Sequence, residues 1–271
     1  MTSATTIFPN RDKLMIFDAD GTIIDAFSAI EATFALHDMD IGELEAFQKR
    51  RKLFKYVGGL KEFPVNIKKQ LGKKSRQKII TTLTEVYREE ACLYEGVAEL
   101  IKQLMATEGI RLGLVTRNVS HEPEITMARL FARYDIDLDQ FDYFAHVPMR
   151  DTKARFFQEA RNQFQINPAR GFACGDEHKD YASALAAGLH PFVVSYGFED
   201  HQRLTEKFAI PEAIISRTPQ EMCARVRHAL DLDEAWIWRW HDKCHLKLVA
   251  FCSKTFVQVL AYSLHLNSLT I

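Results

Sequence analysis

Leu14-Met15-Ile16-Phe17-Asp18-Ala19-Asp20-Gly21-Thr22-Ile23-Ile24-Asp25 is the stretch from which the rest of this chain is best read. Four consecutive apolar residues predict a buried strand, and the strand stops abruptly at Asp18. Two carboxylates, Asp18 and Asp20, at the end of a buried strand are costly unless a cation compensates them, and a divalent metal does so. Gly21 lets the backbone turn away sharply, and Thr22 offers a hydroxyl and an N–H towards the same point. The set suits a nucleophilic carboxylate beside a metal, with a second carboxyl placed for proton transfer. The plainer alternative is a solvated turn, since Asp and Gly are ordinary turn residues.

Outward from this stretch, short apolar runs at 112–115, 143–147, 171–174 and 191–195 predict further buried strands. Helical patterns at 97–105, 123–134, 152–164 and 181–187 lie between them. Strands alternating with helices predict an α/β fold, a parallel sheet covered by helices on both faces. Ligands of such sheets bind beyond the carboxyl ends of the strands, so the polar residues just after each strand are the ones to collect. The alternation fails between 26 and 92, where helical patterns at 26–36, 41–54 and 75–94 follow one another around Gly58-Gly59, Pro64 and Gly72. An inserted all-helical cap directly after the first strand would sit over that strand's carboxyl end; a separate helical binding domain is the alternative.

After the second strand come Thr116, Arg117 and Asn118, a hydroxyl and loop amides able to hold a phosphoryl oxygen, with Arg117 adding charge. After the third, Lys153 opens a helix, where the macrodipole disfavours a cation lacking an anionic partner. Asp18 with a bound phosphate would supply that partner; a plain surface lysine is the other reading, and Arg150 is a second candidate cation. After the fourth, Asp176 and Asp180 stand one helical turn apart and face the same way. Asp18, Asp20, Asp176 and Asp180 at neighbouring strand ends would repel without a cation, and oxygen-only ligands suit Mg²⁺.

The chain of 271 residues is 47% hydrophobic, enough for a substantial core, and its formal net charge of −1 leaves no global basic field, which argues against nucleic acid as the main partner. A local basic cluster (Lys49 to Lys55, then Lys68 to Lys78) reads as solvated helix faces or, less simply, as a patch attracting anionic substrates. The five cysteines are scattered without a CxxC pair, which predicts reduced thiols and a cytoplasmic protein. No signal peptide is read in residues 1–11. Without a GxxxxGK[ST] loop, a nucleotide-driven kinase or ATPase is set aside. His241, Cys244 and His245 lack a second ligand pair at zinc spacing. The apolar run 246–266 is interrupted by Lys254 and Gln258, so no transmembrane segment is read.

Taken together, Asp18-x-Asp20-Gly21-Thr22, Thr116, Lys153 and Gly175-Asp176-x-x-x-Asp180 resemble the four motifs of the haloacid dehalogenase superfamily of phosphohydrolases, in the expected order. The resemblance spans residues 14–195 and implies a Rossmann-like catalytic core of residues 10–25 and 93–232, a helical cap of residues 26–92, and a tail, 233–271, of unknown role. It implies that Asp18 attacks phosphorus to form an aspartyl-phosphate, and that Asp20 protonates the leaving alcohol and then activates water. Thr116 would bind the phosphoryl group with Gly21, Thr22, Arg117 and Asn118 around it, and Lys153 would balance charge. Mg²⁺ would be held by Asp18, the Asp20 carbonyl and Asp176, with Asp180 in support. Asp20, which family dehalogenases lack, favours phosphatase chemistry on a small phosphorylated metabolite, most like the phosphoglycolate phosphatase branch. A phosphomutase of the β-phosphoglucomutase kind is the alternative, and a non-catalytic phospho-ligand sensor a further one. Ala154, Glu177 and Asp25-Ala26 depart from the common family pattern near the site.

Overall fold

The computed structural model describes residues 8, 10–38, 76–148 and 150–232. Contacts divide the chain into two units, residues 1–223 and 224–271; all that follows concerns the first unless stated. The second contributes, among the described residues, only the C-terminal part of one helix and the residues up to Leu232. The expected helix at 41–54, the Gly58-Gly59 turn, most of the basic cluster, the His241–His245 segment and the tail 233–271 lie outside the described residues.

Six strands form one parallel sheet: β1 (Lys13–Phe17), β2 (Ile110–Thr116), β3 (Tyr143–His146), β4 (Gly171–Gly175), β5 (His190–Val194) and β6 (Ile215–Ser216), in the order β3-β2-β1-β4-β5-β6. Every pairing is parallel; Phe17, for example, stands opposite Leu114 on one side and Cys174 on the other. The chain therefore winds outward from β1 through β2 to β3, then returns to the other side of β1 for β4 to β6. The strand order reverses at β1, and the crevice at its carboxyl end is where an open α/β sheet binds ligands.

Leu14, Met15, Ile16 and Phe17 are all fully buried. Successive strand residues point to opposite faces, so both faces of β1 are covered. Leu14 and Ile16, with Val115 of β2 and Ala173 of β4, share one core cluster with Phe157 and Ala160 of α5 (Lys153–Gln163) and Ala184 of α6 (His178–Ala186). On β2, Leu112 and Leu114 alternate with Val115 and take the other face, and α3 (Val97–Met105) packs against that strand with Leu100, Ile101 and Leu104 fully buried. The remaining helices are α1 (Ala26–Ala35), α2 (Arg76–Glu89), α4 (Pro123–Ala132) and α7 (Pro219–Ala229).

The sequence reading misses β6, which has two residues and no periodicity to detect. It also starts α6 at 181, whereas the helix begins at His178. The reason is electrostatic: the first turn carries Asp180, whose carboxylate accepts the Glu177 N–H at 3.0 Å. That turn is polar and capped, without the apolar spacing by which a helix is recognised. Lys153 opens α5 as expected, and Asp25 caps α1 by accepting the Ser28 N–H at 3.1 Å. No helix among the described residues is long and apolar enough to cross a membrane.

Candidate active site

Asp18 follows the last residue of β1, Thr116 is the last residue of β2, and Asp176 follows the last residue of β4. These three strands are adjacent, so the sheet topology alone brings the three residues to one crevice. Lys153, from the first turn of α5, reaches the same point. Its ammonium lies 2.7 Å from Asp18 Oδ2 and 2.8 Å from Asp180 Oδ1, and all three side chains are buried. The lysine disfavoured at a helix start has its anionic partners.

The first carboxylate is fixed from both sides: Asp18 Oδ1 accepts the Ala19 N–H at 2.8 Å, while its own N–H donates to the Cys174 carbonyl at 2.9 Å. Gly21 turns the chain with φ +77°, and a Cβ there would stand 2.5 Å from Asp176 Oδ2. Both the left-handed backbone and the close approach require glycine. Gly21→Ala is expected to destabilise the protein by about 1–3 kcal/mol in urea unfolding, and a change below about 0.5 kcal/mol would contradict this packing.

Asp176 is fully buried. Its Oδ2 accepts the Phe198 N–H at 2.6 Å, but Oδ1 has no hydrogen-bond partner among the described residues, and neither has Thr22 Oγ1. A fully buried carboxylate oxygen left unpaired in a native site needs an explanation, and a bound cation is one. One ligand oxygen from each of Asp18, Asp176 and Asp180 lies within 4.8 Å of the others, so the three can meet on a single ion. Such an oxygen-only set suits Mg²⁺. The carboxylate of Asp20 does not belong to this group; it is turned elsewhere.

Asp20 Oδ1 accepts from the Tyr87 hydroxyl at 2.8 Å, and both Asp20 oxygens accept from Asn118 Nδ2, at 3.1 and 3.0 Å. Asn118 is itself locked: its N–H donates to Thr116 Oγ1 at 3.1 Å, and its Oδ1 accepts from Ser120 N–H at 2.9 Å. The sequence reading puts Asn118 beside the phosphoryl group, but its amide is spent on Asp20. Arg117 likewise donates to the Asp151 carbonyl at 2.7 Å, holding the segment just before α5. Thr22 contributes its carbonyl to the Tyr196 hydroxyl at 2.9 Å.

The charges explain one another. Burial above all, then the neighbouring carboxylates, pushes the pKa of Asp18 and Asp176 up, and burial does the same to Asp20 against the hydrogen bonds from Tyr87 and Asn118. Burial works against the ammonium of Lys153, but Asp18 and Asp180 outweigh it and its pKa rises. Tyr87, raised mainly by burial and further by Asp20, stays a hydroxyl donor. One lysine thus faces several buried carboxyls, an excess of negative charge that a divalent cation offsets.

Tyr87 and the loop after β5 are the parts that sequence reasoning misses. Phe198 N–H holds Asp176, and the next residue, Glu199, is fully buried and accepts from His178 Nδ1 at 2.8 Å. The only sequence signal is the polar Gly197-Phe198-Glu199-Asp200 run after a strand; Tyr87 has none, because it lies 67 residues from its partner.

The family profile of haloacid dehalogenase-like hydrolases matches residues 13–188. Phosphoglycolate phosphatase of Vibrio vulnificus is 26% identical over 204 residues, covering 69% of this chain and 85% of that protein. Phosphoglycolate phosphatase of Synechococcus elongatus is 26% identical over 223 residues, covering 79% and 97%. A haloacid dehalogenase-like hydrolase structure from Streptococcus pneumoniae superposes with a TM-score of 0.53 at 17% identity, covering 80% of this chain and 99% of that one, and so shares the fold. With the profile spanning β1 through α6 and the carboxylate-lined crevice inside that span, the chain belongs to the haloacid dehalogenase-like hydrolases and is an enzyme of that family.

Proposed function

We propose that the protein is a Mg²⁺-dependent phosphatase that hydrolyses a small phosphate monoester through an aspartyl-phosphate on Asp18. The observation that carries this reading is the Asp18–Lys153–Asp180 ion-paired chain beside Asp176 with its unpartnered Oδ1. Asp18, Asp176 and Asp180 would hold the metal, with the Asp20 carbonyl as a fourth oxygen. Bound there, Mg²⁺ neutralises charge on the nucleophile and on the phosphoryl oxygens.

The chain's own residues do the rest. Asp18, held by the Ala19 N–H, presents one oxygen in line with phosphorus. Lys153 opposes the rise in proton affinity that burial gives that oxygen, and balances the charge gathering on the phosphoryl group. Thr116, fully buried at the end of β2, donates its hydroxyl to a phosphoryl oxygen, with the turn at Gly21 and Thr22 beside it. Asp20 gives its proton to the departing alcohol, remains as the carboxylate, and then takes a proton from the water that attacks the acyl phosphate.

A lid over this crevice is part of the proposal: residues 26–92, of which α1 and α2 are described. The two places where the chain would pass between core and lid lie side by side. Asp25 N–H donates to the Cys92 carbonyl at 2.8 Å, Tyr94 N–H to the Ile23 carbonyl at 3.0 Å, and Ile24 pairs antiparallel with Leu93. The 26% identical relatives make 2-phosphoglycolate the first substrate to test. The free thiols of Cys92 and Cys174 fit a cytoplasmic protein.

The test is Mg²⁺-dependent phosphate release from a panel of phosphoglycolate, hexose phosphates, nucleotides and an activated aryl phosphate. Release that requires Mg²⁺ is expected. Silence across the panel with ligands still bound would overturn the reading and point to a mutase or a sensor.

The metal has a second signature. Asp18, Asp20 and Asp176 have pKa values above their ordinary 3.8. A group raised in the folded state stabilises fully below its unfolded pKa, and that contribution is lost as pH rises through the folded value. The metal-free protein therefore loses stability as these carboxyls ionise, and Mg²⁺ restores it. At a hundredfold excess over Kd the ion is worth about 2.7 kcal/mol, about 5–10 °C in Tm for a protein of this size. The Mg²⁺-induced shift is expected to be larger at about pH 8 than at about pH 5. In Asp176→Asn it should vanish, with the metal-free Tm unchanged or higher. An equal shift at both pH values would contradict the assignment.

A further inference from the structure

Helix α2 presents Thr84, Tyr87 and Arg88 on one stripe, three and four residues apart. The outer two side chains tie the helix to the segment that follows β2. Thr84 Oγ1 accepts the His121 N–H at 2.8 Å. Arg88 donates through Nε to Thr126 Oγ1 at 3.1 Å and through Nη2 to Glu122 Oε2 at 3.1 Å. Between these two anchors, Tyr87, 3% exposed, reaches past the helix surface to Asp20 Oδ1 at 2.8 Å. The segment that receives the anchors also carries Asn118, whose amide holds both oxygens of the same carboxyl. Asp20 is thus gripped from two elements that are themselves stitched together, one of them in the stretch assigned to the lid.

We propose that Tyr87 is a positioning residue for the proton donor: with Asn118 it fixes the carboxyl of Asp20 in the orientation that delivers a proton to the leaving oxygen, and the Thr84–Arg88 stitch is what brings it there. The proposal rests on the reading of Asp18 as nucleophile and Asp20 as acid. Tyr87 transfers no proton itself. A carboxyl bonded at one oxygen by a phenol and at both by an amide cannot rotate freely, and proton transfer depends on alignment within hydrogen-bond reach.

Tyr87→Phe deletes one hydroxyl and keeps the buried ring. The readout is kcat/KM, which reports the step that expels the alcohol, across phosphate monoesters graded from activated aryl to alkyl. An alkyl leaving oxygen needs the proton and an activated phenolate does not. Tyr87→Phe is expected to lower kcat/KM about tenfold on alkyl esters, a part of the 10²–10⁴-fold that general acids contribute, and less than about twofold on the activated aryl ester. The retained aryl rate also shows that the variant is folded. Arg88→Met, which leaves the phenol in place but removes an anchor, should show the same selectivity at about threefold.

Equal losses on both ester types, no loss, or a gain on alkyl esters in Tyr87→Phe would overturn the proposal. Wild type and Asp20→Asn run alongside. If wild type releases phosphate from no ester, or Asp20→Asn shows no leaving-group selectivity, the underlying reading fails and takes Tyr87 with it. If both behave as expected while Tyr87→Phe matches wild type, Tyr87 alone is refuted.

Discussion

Asp18→Asn is expected to abolish turnover while the protein keeps its fold. The carboxamide keeps the volume that β1 leaves at its end and one acceptor oxygen, for the Ala19 N–H or for Lys153 but not both, and it offers no anionic oxygen to phosphorus. Stability is the less obvious half of the expectation. Removing one partner of a buried ion pair ordinarily costs about 3–5 kcal/mol, because a charge is left uncompensated. Here Lys153 keeps Asp180 at 2.8 Å, and the site loses one of several mutually repelling carboxylates. Relief of that repulsion offsets the lost pair, so Tm should change little in the absence of metal. Phosphate release and thermal melting of the purified variant check both halves. Appreciable residual turnover would remove Asp18 as nucleophile, and a collapse in Tm would show that its charge is structural.

Asp20→Asn separates the acid from the nucleophile. An amide oxygen still accepts from the Tyr87 hydroxyl, so the turn need not move, but no proton is available for the leaving group. For alkyl esters the loss in kcat/KM should be about 10²–10⁴-fold, the usual scale of general acid catalysis. An activated aryl ester leaves as a stable phenolate and should lose far less. Equal losses on both would count against the acid role and would suggest that Asp20 only shapes the Gly21 turn.

The fold and the outline of the site are legible in the chain because both are encoded locally. Leu14 to Phe17 announce a strand buried on both faces, and the polar residue that ends each strand marks the crevice without any knowledge of packing. Asp18, Thr116, Lys153, Asp176 and Asp180 come together because β2, β1 and β4 are neighbours and α5 begins at Lys153. What stays hidden is encoded in tertiary contact. Asn118 sits where a phosphate ligand is expected, and only side-chain direction shows its amide on Asp20. Tyr87 reads as one apolar residue of an amphipathic helix until that helix is placed against α4. Phe198 enters through a backbone N–H, which no residue type advertises. The N-terminus of α6 is misplaced for a related reason: its first turn is chosen for capping and for the site, so it lacks the apolar spacing of the turns behind it.

The central claim, covalent catalysis by Asp18, is tested most directly by trapping the intermediate. The enzyme would be mixed with Mg²⁺ and an excess of a turned-over ester, quenched in acid during the first turnovers, and reduced with borohydride. That reagent converts an acyl phosphate of aspartate to homoserine. Peptide mapping is predicted to find homoserine at position 18 and nowhere else, with none in the unreacted protein. Sustained turnover with Asp18 unmodified, or with homoserine at another aspartate, would contradict the account.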